Sequence, residues 1–177
     1  MKKTDDIRQN ERSVQQIDGM DRKLLAELVE DATLSYADLG KKVGLSAPAA
    51  HERVKRLRQR GVIKQVAALV EPQAAGKPLL AFIHVDTAGW GKTPVLMQIR
   101  RFPEVEEIHS VTGDACMLLK VRTDGPQALE QLLGQLYATP GVKATRSYVV
   151  LSTYLERPVQ AGKTEEWPNF EIALAER

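Results

Sequence analysis

The 177-residue chain has one cysteine, three histidines and aromatic side chains at only 5% of its positions. A single thiol, Cys116, forms no bridge within the chain, so neither disulfide stapling nor an oxidising compartment is indicated. His51, His84 and His109 lie far apart, with no cysteine or paired carboxylate at ligand spacing, which argues against a metal site. No apolar run approaches the roughly 20 residues that span a bilayer. Met1-Lys2-Lys3 leads into Thr4-Asp5-Asp6 instead of a signal core. A cytoplasmic protein is expected. A Ser/His/Asp set, a phosphate loop and a dinucleotide fingerprint are also missing, so neither an enzyme nor a cofactor is expected.

What is present is an ordinary globular composition, 43% apolar and 27% charged, with room for one large domain or two small ones. The net charge is only +2, but it is unevenly placed. From Asp38 to Lys64, the eight cations Lys41, Lys42, Arg53, Lys55, Arg56, Arg58, Arg60 and Lys64 stand against Asp38 and Glu52 alone.

Three helices are predicted in close succession. Asp18 caps the first, with Asp21 as a weak capping-box partner, and Ile17, Met20, Leu24 and Leu28 form its apolar stripe until Asp31-Ala32-Thr33 ends it. Ser35 caps the second; Asp38 is at its third position, and Leu34 and Leu39 bracket the start as a staple. Gly44 allows a sharp turn, and Gly40 allows the neighbouring helix to come close. Ser46 caps the third helix, with Pro48 in its first turn and Ala50, Val54 and Leu57 on a core face.

That third helix is the candidate for a DNA major groove. Arg53, Arg56 and Arg60 make one basic stripe; His51, Lys55 and Arg58 make another. The bland alternative is a solvated basic face. Small Ala47 and Ala49 at the leading end favour the DNA reading, because the backbone there can approach base edges. Base reading is assigned to Ser46, Ala47, Pro48, Ala49, His51 and Glu52. Arg53 and Arg56 are expected to reach bases or phosphates.

Gly61 stops the third helix, Val62–Val70 reads as an extended connector, and Glu71-Pro72 and Ala75-Gly76-Lys77-Pro78 punctuate a boundary. Beyond it the pattern repeats with a shift of 37 residues, aligning Pro103 with Pro140 and Val105 with Val142. Strand Leu79–Val85, a helix near Thr93–Arg101 and a strand ending at Thr112 are matched by strand Cys116–Val121, helix Gln127–Tyr137 and a last strand from Val142. Two such units joined at Gly113 describe a ferredoxin-like βαββαβ sandwich, and the chain as a whole is α+β.

Two helices cover one face of a four-stranded sheet. Leu79–Ile83, Met117–Leu119 and Tyr148–Leu151 are apolar throughout, so a second copy of the chain is expected on the other face, forming a homodimer. An Asp at Ile83 or Leu119 is expected to dissociate or unfold this domain. Glu104, Glu106 and Glu107 read as a solvated strand end, and His84 and His109 as packed or interface residues. Cys116, beside Met117 and Leu118, reads as a buried, unreactive thiol.

The chain resembles the Lrp/AsnC family, the leucine-responsive or feast/famine transcription regulators, over roughly Ile17 to Leu155. The resemblance rests on Asp18…Asp21-Arg22, Val43-Gly44-Leu45-Ser46, Arg53-Val54-Lys55-Arg56-Leu57…Gly61-Val62-Ile63 and Val111-Thr112-Gly113-Asp114. It implies a plain or winged helix-turn-helix followed by an effector domain, and dimers that assemble further, to tetramers or octamer-like rings. It also implies amino-acid effectors bound at interfaces of the sandwich domains. Family members commonly carry an aromatic and then an acidic residue where this chain has Ala115 and Cys116, so the usual ligand carboxylate is missing. The effector site is assigned to Thr112, Gly113, Asp114, Ala115 and Cys116, and is expected to take a larger or hydrophobic amino acid. The domain reading is an arm at 1–16, a helix-turn-helix at 17–63, a linker at 64–77, an effector and oligomerisation domain at 78–156 and a tail at 157–177. The alternative reading is a nucleoid-type architectural DNA binder without a ligand.

Overall fold

The computed structural model describes residues 17–88 and 93–162. The arm at 1–16, and the tail from 163 on with its Trp167-Pro168-Asn169-Phe170, lie outside the described residues. The described residues divide into two units, 17–67 together with 157–162, and Ala68–Glu156.

The first unit holds α1 (Gly19–Glu30), α2 (Tyr36–Val43) and α3 (Ala47–Gln59). Each begins on a side-chain cap. Asp18 accepts from the Asp21 N–H at 2.6 Å, Ser35 from the Asp38 N–H at 3.1 Å, and Ser46 from the Ala49 N–H at 3.4 Å. Ser35 also donates its hydroxyl to the Asp38 carboxylate at 2.6 Å. The spacing of apolar residues in the three helices brings Leu24, Leu39, Val43, Ala50 and Val54 together as the core. Gly44 closes α2 in the left-handed region at φ 75°. Gly40 serves a different contact from the one expected: a Cβ there would lie 2.6 Å from the Leu45 carbonyl oxygen, so it is the turn that needs the space. No strand forms a wing beside these helices among the described residues. The connector from 64 to 71 is exposed and irregular.

The second unit is a four-stranded antiparallel sheet of β1 (Leu79–Thr87), β2 (Val105–Ser110), β3 (Met117–Thr123) and β4 (Val142–Val149), in the order β2-β3-β1-β4. Helix α4 (Pro126–Ala138) and a 3₁₀ turn at Leu96–Arg101 complete it. The helix expected over Thr93–Arg101 is reduced to that short turn, confined between Pro94 and Pro103. Ala81, Ile83 and Val85 of β1 and Met117, Leu119 and Val121 of β3 meet Leu129, Leu132 and Leu136 of α4 in the core. Ile83 and Leu119 are cross-strand partners, both fully buried.

The opposite face is not the uniformly apolar surface that the runs of hydrophobic residues suggest. Leu80, Phe82 and Leu118 share it with Lys120 and Arg122, which alternation places there. Lys120 Nζ lies 2.5 Å from Glu156 and 3.3 Å from Glu106; Arg122 lies 2.9 Å from Glu106 and 2.6 Å from Glu156. Glu106 and Glu107 stay exposed, as expected, but also join an ion cluster on the sheet face, next to the irregularity between Val105 and Glu107 in the β2–β3 pairing. Burial disfavours the Lys120 ammonium, but the pairs with Glu156 and Glu106 outweigh it and raise its pKa.

The two sheet faces are thus separable by substitution. Ile83→Asp or Leu119→Asp places a charge among apolar side chains and should cost more than about 4 kcal/mol, unfolding the domain instead of merely dissociating it. Leu118→Asp, on the other face, should leave the domain folded. Circular dichroism with urea titration checks all three, and a folded Leu119→Asp domain contradicts the assignment of faces.

Candidate nucleic-acid interface and effector turn

Helix α3 has three sides. Ala50 and Val54 are buried against α1 and α2, and Leu57 is buried on the same side. Pro48, His51, Glu52, Lys55, Arg58 and Gln59 are exposed, with Ala47 and Ala49 half-buried at the leading end. His51 sits edge-on to Tyr36 of α2, ring centroids 4.7 Å apart. The outward side therefore begins at small residues and a capped helix start, and becomes basic along its length. Helix starts carry unpaired N–H groups and a positive dipole end, both suited to phosphate or base contacts. Arg58, outward and exposed, joins this side, a placement that periodicity alone does not reveal because it does not say which basic stripe faces solvent.

The third side holds the arginine stripe, which faces the start of α1. Asp21, with its side chain only 2% exposed, lies 2.7 Å from Arg53 Nη1, 3.6 Å from Arg56 Nη2 and 3.8 Å from Arg60 Nη1. Arg53 Nη1 also reaches Asp18 Oδ2 at 2.8 Å. Arg53 and Arg60 thus lie against a carboxylate buried on α1, an arrangement that their spacing in a basic run does not reveal. Arg56 is intermediate, half exposed and within reach of the same acid. Asp21 is likewise not a capping-box partner: its N–H donates to Asp18, but its carboxylate turns to Arg53. A pair of acids at Asp18 and Asp21, three apart like Arg53 and Arg56, was the available signal.

In the second unit, the β2–β3 connection brings Thr112, Gly113 and Asp114 to the surface, with Gly113 at φ 111°. The Val111 N–H donates to the Cys116 carbonyl at 3.3 Å. Arg146 of β4 donates to the Asp114 carbonyl at 3.2 Å and lies 3.8 Å from Asp86. Ala115 is buried and Cys116 is exposed. The expected burial of the thiol fails: Ala115 and Met117 are buried, but Cys116 between them lies in the bend before β3 and is exposed. The Thr87 hydroxyl and backbone hydrogen-bond to it and lower its pKa. Among the described residues no group of His, Cys, Asp and Glu could hold a metal ion.

Two family models match the chain: residues 17–58 match the AsnC-type helix-turn-helix domain and residues 80–160 the Lrp/AsnC ligand binding domain. The HTH-type transcriptional regulator FL11 of Pyrococcus horikoshii is 34% identical over 140 residues, 79% of this chain and 93% of its own length. The leucine-responsive regulatory protein of Escherichia coli is 39% identical over 140 residues, 76% of this chain and 85% of its own. Among solved structures, a Neisseria meningitidis transcriptional regulator in complex with L-methionine matches with a TM-score of 0.76 at 27% identity, covering 85% of this chain and 98% of that one. AsnC of Escherichia coli matches with a TM-score of 0.74 at 27% identity, covering 82% and 99%.

The α1–α3 contact has a pH signature. A hydrogen bond from Arg53, then one from the Asp21 N–H, holds the Asp18 carboxyl below its ordinary value. A depressed carboxyl adds stability above its unfolded pKa, near 3.9, and loses it as pH falls through the lower folded value. Asp18→Asn retains an N-cap but not the charge. Its denaturation midpoint should fall less than that of the wild type between about pH 5 and pH 2. Parallel acid titrations of both proteins followed by circular dichroism test this; equal slopes contradict it.

Proposed function

This chain belongs to the Lrp/AsnC family of transcriptional regulators, and from that premise we propose that α3 reads operator DNA and that the β2–β3 turn binds an amino acid. The observation that carries the first reading is the outward side of α3, small at its capped start and basic beyond. Ala47, Pro48, Ala49, His51 and Glu52, with Ser46 at the cap, are proposed to approach base edges. Lys55, Arg56 and Arg58 are proposed to engage phosphates, which position the helix without reading sequence. The protein acts in the cytoplasm as a homodimer, so two α3 helices meet a palindromic site. Apolar Tyr148, Val149, Leu151, Tyr154 and Leu155, all exposed in the isolated chain, support association with a second copy.

At the effector turn, backbone N–H groups and Thr112 hold an amino acid's carboxylate, and Asp114 its ammonium, through charge-assisted hydrogen bonds. Small Ala115 and Cys116 suit a larger or hydrophobic side chain. A relative solved with L-methionine supports this class of effector.

Footprinting tests the DNA reading: a few spaced protected sites are expected, whereas uniform coating with little preference favours an architectural binder. Lys55→Ala or Arg58→Ala should each reduce the salt slope of binding by about one. Calorimetry against the amino acids, on wild type and Asp114→Ala, tests the effector. Undiminished binding by the variant moves the site elsewhere, and no binding by either protein removes it.

A further inference from the structure

Asp21 stands out as a buried acid on α1 that holds the side of α3 richest in arginine. Its carboxylate is 2% exposed and has Arg53, Arg56 and Arg60 within 2.7, 3.6 and 3.8 Å, with Asp18 taking a second contact to Arg53. A carboxylate shut from water is stable only when cations face it, and those cations are then held in one geometry. Arg53 is half-buried, at 29% exposure, and both acids lie within 2.8 Å of the same guanidinium nitrogen. Releasing it to a phosphate leaves a buried negative charge behind.

We infer that Asp21 is a positioning and specificity residue for DNA binding: it fixes α3 against α1 and withholds Arg53, and with it Arg60, from the phosphate backbone. The inference rests on the proposal that α3 reads DNA. Its consequence concerns discrimination. Phosphate contacts supply sequence-independent affinity, and each neutralised phosphate adds about 0.9 to the salt slope. Arginines freed along one flank of the reading helix would strengthen binding to any duplex and dilute the preference that base contacts provide. Asp21 suppresses that background by keeping its arginines occupied on the protein.

The test compares the full-length wild type with Asp21→Asn, Asp21→Glu, Arg53→Ala and Lys55→Ala. Each is titrated over a range of salt against a random-sequence duplex and a duplex selected by the wild type from a random pool. Circular dichroism under urea identifies conditions in which every variant is folded. Asp21→Asn is expected to raise the salt slope by about one to two, to bind the random duplex about tenfold more tightly at low salt, and to lose at least about tenfold in preference for the selected duplex. Asp21→Glu should restore most of the preference. Arg53→Ala should leave the slope unchanged, while Lys55→Ala lowers it by about 0.9. A folded Asp21→Asn with wild-type slope and preference overturns the inference, as does a drop of about one in the slope of Arg53→Ala. If Asp21→Asn does not fold, the Arg53→Ala slope alone decides. Failure of the wild type to bind any duplex overturns the DNA proposal itself.

Discussion

A carboxylate shut away from water has to be met by cations, and Asp21 is met by three. That requirement constrains the N-terminal unit in a way that its apolar core does not. Leu24, Leu39, Val43, Ala50 and Val54 bring the three helices together, but apolar contact is not directional. The ion pairs to Arg53 are directional: they constrain how α3 sits against the first turn of α1 and therefore which side of α3 stays exposed. Asp18 has two tasks in the same place, accepting the Asp21 N–H as cap and Arg53 as ion pair. One short stretch of α1 thus starts its own helix and positions another.

The C-terminal unit resolves a different conflict. Its helix-side core is assembled by strand alternation, with Ile83 and Leu119 paired at the centre. The other face mixes apolar side chains with Lys120 and Arg122, whose charges are answered by Glu106 and by Glu156 beyond the last strand. Glu156, held by Lys120 and Arg122, has its pKa lowered by those contacts, Lys120 first. The chain that leaves β4 is therefore tied back to the sheet instead of trailing from it. Beyond it the chain returns to the first unit, where Arg22 donates to the Ala161 carbonyl at 3.2 Å.

Much was legible from residues alone because its causes are local. Caps at Asp18, Ser35 and Ser46, the left-handed turn at Gly44 and the 3.6-residue rhythm of Ala50, Val54 and Leu57 depend on neighbours within one or two turns of chain. The 37-residue shift revealed the two halves of the sandwich for the same reason, since each strand and its turn carry their own pattern. The family resemblance read from these motifs agrees with the matched domains and the solved relatives.

Sequence by itself thus determined the helix-turn-helix, the sandwich and the family, because capping, periodicity and turn chemistry act over short distances. Tertiary structure decided which charges are available. Arg53 and Lys55 are indistinguishable as members of a basic run, yet one is bound to two acids more than 30 residues away and the other is exposed. Cys116 looked buried beside Met117 and Leu118, but it lies in the bend before β3 and is exposed. Glu106 is exposed as expected, yet beside an irregularity in strand pairing it also meets Arg122. In each case the outcome depends on a partner brought close only by folding, and the strength of an ionic contact depends on that distance and on the water excluded from it.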